Sequence, residues 1–575
     1  MTQGKESEFS GGSRRGFLTA LAATGGSLAF AELFEAAAQS GEVGREAIAQ
    51  AERLAGLAFS DAERDLMLPE LLDQSKAFAG LREQALANDV PLALQFRPDA
   101  FTEEPRAVLR EMSSTSAPAK PHRRIRPEDD ELAFLSVAEL GALLDQREIS
   151  SLELTRLYLD RLKRSDPRLL CVVNLLEERA LAAARRADHE LASLAGRRQR
   201  TPLQGIPWGA KDLMAALGAP TTWGSPPFRE QSFGADASVV EQLDRAGAVI
   251  VAKLAVGELA WGDVWSGGMT RNPWKPEQGS SGSSAGSAAA TAAGLVGFAL
   301  GTETWGSIVS PCTRCGATGL RPTFGRVSRD GVMALSWTMD KVGPIARSVE
   351  DCALVFEVIA GPDGRDATLV DRPFDWGSRP DPRKLRLGYV PALFDEAPEK
   401  GGEETRALER AALDALRKSG VALSAVTLPK LPVEALAIIL TAEAGAAFDD
   451  FTRSGRVREM VRQGADAWPN LFRAARFIPA VEYLRANRIR TLLVREWEAA
   501  LRGLDALVVP SFGGSQLLAT NLTGHPAVVL PNGLRSDGTP SSLTFVGRLH
   551  GELELLAAAD FYQRETGFHL AHPKL

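Results

Sequence analysis

The sequence predicts an α/β protein in which helices cover a central sheet. One observation behind this is alternation: from about residue 204, short apolar runs at 204–210, 248–252 and 295–300 are separated by a helical stretch at 237–246 and a further helix before 295. Another is composition. Hydrophobic residues make up 45% and charged residues 24% of the 575, and the 53 glycines and 33 prolines follow no collagen-like period, which excludes a fibrous or largely disordered chain. No self-similarity at solenoid periods is present. The length would suit about four domains of roughly 150 residues, although large α/β enzymes use more for one.

Taken in order, residues 1–38 are expected to be an export signal and not part of the fold. Ser13-Arg14-Arg15-Gly16-Phe17-Leu18 opens an uncharged run to Ala31, in the pattern of a twin-arginine signal. That run is shorter than the roughly 20 apolar residues a spanning helix needs, so no stable membrane span is expected. Ala29-Phe30-Ala31 and Ala36-Ala37-Ala38 both offer small-x-small cleavage patterns, with cleavage after Ala38 favoured, and the expected location is periplasmic or extracellular. Residues 41–112 are patterned as a helical extension, with a Ser60-x-x-Glu63 capping box. The Ser-, Pro- and Arg-containing stretch 113–127 reads as a linker, and 128–575 as one catalytic domain. Capping boxes at Ser136/Glu139 and Ser150/Glu153 open two more helices, the second expected to end near Ser165-Asp166-Pro167, and another helix is expected at 176–194.

Several function classes drop out. The net charge is −7 and no basic stripe is visible, so nucleic acid is not an expected partner. Histidines at 122, 189, 525, 550, 569 and 572 include no pair with ligand spacing on a helix face, and Cys312-x-x-Cys315 stands without a second pair, so no metal site is expected. From Gln278 to Thr302 there are 25 residues without a charge, but the first half is Gly, Ser and Ala, which marks a close-packed functional loop running into a helix.

Within that loop Gly282-Ser283-Ser284-Ala285-Gly286 matches the Gly-x-Ser-x-Gly nucleophile elbow, which would make Ser284 the nucleophile with His525 or His550 downstream. An elbow needs a strand just before it. The preceding 272–279, with Pro273 and Pro276, reads as loop.

A different reading joins three segments: Gly205-Ile206-Pro207-Trp208-Gly209-Ala210-Lys211-Asp212, the loop 279–287, and Gly301-Thr302-Glu303-Thr304-Trp305-Gly306-Ser307-Ile308-Val309-Ser310-Pro311. Together they resemble the amidase signature family of serine hydrolases. The resemblance runs from about residue 130 to the C-terminus, through 318–328, Asp340-Lys341-Val342-Gly343-Pro344 and Asn521-Leu522-Thr523-Gly524-His525-Pro526-Ala527. It implies a mixed, twisted central β-sheet with helices on both faces, and hydrolysis of a small-molecule linear carboxamide with no cofactor. The catalytic set it implies is Ser307 as nucleophile, Ser283 as proton shuttle and Lys211 as base, with a cis peptide bond after Gly282 and support from Gly282 and Ser284. Backbone N–H groups of Thr304, Trp305, Gly306 and Ser307 would form the oxyanion hole.

Chemistry makes the same demand of this trio. A serine hydroxyl is a weak nucleophile until a base takes its proton, and a lysine can do so only when neutral. Being half neutral at pH 7 requires a fall from about 10.4, roughly 4–5 kcal/mol, which burial can supply. On its own, Lys211 would instead read as a solvated residue starting a helix, or as a partner of Asp212.

The chain departs from the family pattern at three places. Trp305 stands where relatives usually have glycine, Ser281 and Ala285 replace glycines of the serine loop, and Val309 and Ser310 stand where an arginine usually follows the nucleophile. A small anionic acyl group is therefore not the expected substrate, with Arg314 as the candidate substitute for the arginine. Seven of the ten tryptophans lie between Trp208 and Trp337, consistent equally with an aromatic-lined entrance and with core packing. Two further readings remain: a glutamine-hydrolysing subunit of a tRNA-dependent amidotransferase, which export argues against, and a disabled binding or scaffold protein.

Overall fold

The computed structural model describes residues 44–86, 90, 93–94, 130–193, 201–396 and 402–574. The twin-arginine segment, the cleavage point after Ala38 and the linker 113–127 lie outside the described residues. Eleven strands form one sheet: β1 (Val172–Leu175), β2 (Pro207–Lys211), β3 (Val249–Leu254), β4 (Phe298–Glu303), β5 (Thr318–Arg321), β6 (Lys341–Ala346), β7 (Leu387–Tyr389), β8 (Leu423–Ala425), β9 (Ala506–Pro510), β10 (Ala527–Leu534) and β11 (Pro540–Gly547). Their order is β1-β3-β2-β4-β6-β5-β10-β11-β9-β7-β8. Pairings β2 with β3, β2 with β4, β7 with β9 and β7 with β8 are parallel and the others antiparallel, so the sheet is mixed.

Both faces of the sheet are buried, and the period-2 alternation of strands shows it. Ile250, Phe298, Leu300, Val528 and Leu530 belong to one apolar core with helices Val137–Asp145, Val349–Ile359 and Glu552–Thr566. Their neighbours Val249, Val251, Ala299 and Val529 belong to another, with helices Glu177–Ser193, Ala285–Ala292 and Val309–Cys315. This is the α/β architecture the alternation predicts. The Ala-rich helix Ala285–Ala292 is buried along its whole length because its small side chains let it lie directly against the sheet.

All three serine capping boxes form, at Ser60, Ser136 and Ser150. The helix from Ser150 does not stop at Pro167 but runs to Leu169. Proline costs one backbone hydrogen bond there, near the end where few remain. The chain leaves through Leu170, at φ 50°, and the Asp166 carboxylate accepts the N–H groups of Cys171 and Val172 at 2.7 and 2.8 Å. The segment before the serine loop is also not plain loop, since Arg271–Asn272 and Lys275–Gly279 pair as a small hairpin outside the main sheet. Its prolines are compatible with a two-stranded ribbon whose outer edge is free.

Within 41–112 the described part holds helices Arg45–Ala55 and Asp61–Glu83. They pack on the helices Trp468–Ala475 and Ala480–Ala500, with Ile48, Ala51, Met67 and Leu71 against Ala474 and Phe477. Glu63 accepts from Arg458 at 3.0 Å and Arg473 at 2.7 Å. Burial pushes the Glu63 carboxyl up, but these arginines and the Ser60 cap outweigh it and hold it at about 2. Trp468 and Phe472 on the buttressed helix continue into an aromatic wall with Leu213, Leu259, Met333 and Leu335, next to the cavity described below. No described helix is long and apolar enough to cross a membrane.

Candidate active site

The C-terminal ends of central strands β2 and β4 converge with the loop that enters helix Ala285–Ala292. Strand β2 ends at Lys211: Trp208 and Ala210 face the first core, so alternation carries Lys211 to the opposite face, against the loop that enters helix Ala285–Ala292. The Lys211 amine lies 2.8 Å from Ser283 Oγ, 2.8 Å from Thr302 Oγ1, 3.1 Å from Ser284 Oγ and 3.3 Å from the Thr302 carbonyl. It is fully buried, and among the described residues no carboxylate forms an ion pair with it. Burial therefore pushes the amine well below its ordinary value, with the more distant Asp340 and Glu303 opposing only in part. The partners suit a neutral amine, because hydroxyls can donate to its lone pair as well as accept from its N–H groups.

Asp212 does not pair with Lys211. The next residue along the chain points the other way, and Asp212 forms a fully buried ion pair with Lys253 at 2.6 Å. The pairing that would keep Lys211 charged is thus made elsewhere.

The Gly282–Ser283 peptide bond is cis. A Cβ at Gly282 would sit 1.7 Å from the Gly262 carbonyl oxygen, and one at Gly286 would sit 2.4 Å from Ala255 N, so glycine is required at both by close backbone approach. Ser284 is buried and its hydroxyl is committed to strand β4, donating to the Thr302 carbonyl at 3.1 Å and accepting the Thr302 N–H at 3.2 Å. His525 is held by Thr523 and Glu498. This arrangement supports a structural Ser284 and not the nucleophile of an elbow.

Ser307 follows β4 in a tight turn with Gly306 at φ 84°. The Ser307 carbonyl accepts the Ser284 N–H at 3.1 Å, which ties this turn to the serine loop. Among the described residues no hydrogen bond joins Ser307 Oγ to Ser283 Oγ, so the expected relay is closed at Lys211–Ser283 but open at Ser283–Ser307. Hydrogen bonds of reacting groups are often long in the free enzyme and tighten around substrate. Among the described residues the backbone N–H groups of Thr304, Trp305, Gly306 and Ser307 donate to no acceptor.

Groups without an expected role organise this turn. Glu303 is fully buried; one oxygen accepts from Arg321 at 2.6 Å and Asn521 at 2.8 Å, the other from the N–H groups of Ile308 and Val309 at 2.8 and 2.9 Å. Burial pushes this carboxyl up, but Arg321, the Val309 amide and Asn521 outweigh it and hold it at about 2. Thr304 donates to Asp340 at 2.5 Å, and the other Asp340 oxygen accepts from Leu335 and Ser336 N–H. The signal was available in sequence: Glu303 ends a 25-residue uncharged stretch at the foot of the Ser307 turn.

Beside the cluster lies a cavity of about 330 Å³, lined by Thr302, Thr304, Asp340, Leu213, Met333 and Trp337 and reached from the cluster through Thr302 and Thr304. The tryptophans divide between the two expected uses. Trp208 stacks on Phe298 inside the core and Trp261 packs edge-on to Trp468, whereas Trp337 at the cavity and Trp305 beside Ser307 are 49% and 46% exposed. Cys312 and Cys315 are buried free thiols, pushed up by burial.

Comparison with known proteins agrees with this geometry. The family model described as Amidase matches residues 153–518. The glutamyl-tRNA(Gln) amidotransferase A-type subunit of Chloroflexus aggregans is 36% identical over 504 residues, covering 77% of this chain and 99% of that protein. The protein of the same name from Anaeromyxobacter dehalogenans is 38% identical, covering 76% and 97%. Among solved structures, the peptide amidase PAM bound to the competitive inhibitor chymostatin superimposes with TM-score 0.68 at 32% identity, covering 77% of this chain and all of that one. Native peptide amidase from Stenotrophomonas maltophilia gives 0.66, also at 32%, covering 75% and 97%. With the family model spanning well over half its length and relatives this similar matched almost end to end, this chain belongs to the amidase signature family.

Proposed function

We propose that the protein hydrolyses the C–N bond of a carboxamide through an acyl-enzyme on Ser307. One observation carries this reading: a fully buried lysine that has no carboxylate partner among the described residues sits 2.8 Å from the hydroxyl of Ser283. Neutral Lys211 takes the Ser283 proton as Ser283 takes that of Ser307, and Ser307 Oγ attacks the carbonyl carbon. The oxyanion is received by backbone N–H groups of the turn Thr304–Ser307. Protonated Lys211 returns the proton through Ser283 to the departing amine or ammonia, and water repeats the cycle to free the acid. We include in this reading the export of the chain by its twin-arginine segment and the division into signal, helical extension and catalytic domain.

Two substrate readings follow. The names of the sequence relatives favour glutamine, hydrolysed as one half of a tRNA-dependent amidotransferase. The peptide amidase structures, and Val309 in place of an arginine, favour a different linear amide hydrolysed by the protein alone. Ammonia release by the purified protein from glutamine and from C-terminal peptide carboxamides separates them. On whichever amide is turned over, kcat/KM is expected to rise with pH as Lys211 loses its proton. Because burial lowers the amine, that rise is complete well below the pH at which an ordinary lysine titrates, near 10.4. Failure to release ammonia from any amide would remove the reading.

A further inference from the structure

A second cavity, of about 230 Å³, adjoins the catalytic loops and has a different chemistry from the first. Ser281 and Ser310 line it, joined by a 2.6 Å hydrogen bond between their hydroxyls. Ser281 lies two residues before Ser283, and the Ser310 N–H donates to the Gly306 carbonyl at 2.7 Å, so this cavity adjoins both the serine loop and the turn that carries Ser307. Its walls are built mainly of hydroxyl donors. Thr313 is hydrogen-bonded to Ser542 at 2.7 Å and Ser542 to Ser511 at 2.7 Å, while Ser541, fully buried, has a hydroxyl with no partner.

Two guanidinium groups face the same space. Arg314 makes no ion pair among the described residues, and Arg535 donates only to the hydroxyls of Thr405 and Thr539, each at 2.9 Å. They lie near enough to repel one another, since Arg314 contributes to lowering Arg535 after burial itself. One acid, Glu409, also lines the cavity and pairs with Arg406 at 3.0 Å; Asp537 pairs with Lys275 at 3.1 Å, and Glu404 accepts from the Ser536 amide and hydroxyl. These three carboxylates oppose the lowering of Arg535, but among the described residues none forms an ion pair with it. Two arginines without an ion pair among the described residues, a buried hydroxyl that has no partner there and a wall of hydroxyls, against the one carboxylate Glu409 already held by Arg406, describe a receptor for an oxyanion.

We infer that this cavity, through Arg314, Arg535 and Ser541, holds a carboxylate on the acyl portion of the substrate while its amide lies at Ser307. The inference rests on the amide-hydrolase reading and narrows it to monoamides bearing an acidic terminus. The anionic specificity that Val309 removes at its usual place is thereby restored from a different wall.

The test compares adipic acid monoamide with hexanamide, the uncharged amide of the same chain length, alongside the succinic and suberic monoamides to locate the best reach. The expected result is a preference for one or more of the acid monoamides over hexanamide of about 10–100-fold in kcat/KM, as charge-assisted hydrogen bonds give. Arg314→Gln removes most of that preference, and because Arg314 is exposed and unpaired the variant keeps the fold. Arg535→Gln does the same, with partial recovery in Arg535→Lys. Inorganic phosphate competes with the preferred monoamide in the wild type and loses that effect in Arg314→Gln. If hexanamide is hydrolysed as well as every acid monoamide, the hydrolase reading stands and this inference is overturned. If phosphate slows both amides equally in wild type and Arg314→Gln, the site is not this cavity. If no amide is hydrolysed, the hydrolase reading itself has failed and the inference falls with it.

Discussion

Lys211→Met lowers kcat by about 10⁴-fold or more while leaving the protein folded. The lysine stands at the end of a fully buried strand among three hydroxyls and one carbonyl, with no carboxylate paired to it among the described residues. Methionine matches its length and removes a desolvated amine that burial already disfavours as a cation. In the proposed mechanism, what disappears is the base that deprotonates Ser283. Groups acting as a unit in nucleophilic catalysis each cost roughly the whole effect when removed, commonly 10⁴–10⁶. Steady-state ammonia release gives the rate and circular dichroism checks the fold. A folded Lys211→Met protein within tenfold of wild type would mean that another group is the base.

The largest expected effect on stability is at the foot of the nucleophile turn. Arg321→Met leaves Glu303 fully buried with Asn521 and two backbone amides but without its cation, and breaking a buried pair from one side costs about 3–5 kcal/mol. The same change frees the turn that positions Ser307, so activity falls with the unfolding midpoint. The pH dependence identifies the cause. In the wild type the Glu303 carboxyl is held at about 2, below its unfolded value, so its contribution is complete above the ordinary carboxylate range and is lost as pH falls toward 2. The stability gap between wild type and Arg321→Met therefore narrows as pH falls through the ordinary carboxylate range toward 2, because the wild type loses the contribution of its ionised Glu303 there and the variant has no Arg321 pairing to lose. Denaturant unfolding at neutral pH and at about pH 3 reads it. A gap that stays constant would assign the loss to packing.

Much of this architecture is legible in the sequence because its cues are local. Serine caps with a glutamate three residues on mark helix starts at Ser60, Ser136 and Ser150 irrespective of tertiary context. Strand positions are also readable, although ends shift by a few residues, as in 295–300 against Phe298–Glu303. The passage of a helix through Pro167 is less so, because Asp166 and Leu170 together replace the usual stop. The motif residues Lys211, Ser283 and Ser307 do come to adjoining turns, since each follows or ends a structural element whose order the resemblance carries. The long-range pairings stay hidden: Asp212 with Lys253, and Glu303 with Arg321 and Asn521, depend on which strands become neighbours. The two tryptophan uses could not be separated from spacing, because Trp208 and Trp305 differ only in which way their turn or strand faces.

The proposed reaction depends on Ser307 acting as the nucleophile that Lys211 activates through Ser283. Incubation of the full-length protein with a fluorophosphonate probe, followed by peptide mapping, tests this directly. The predicted result is a single adduct on Ser307, absent in Ser307→Ala and strongly slowed in Lys211→Met. An adduct on Ser284, or a folded protein that takes no label at Ser307, would contradict it.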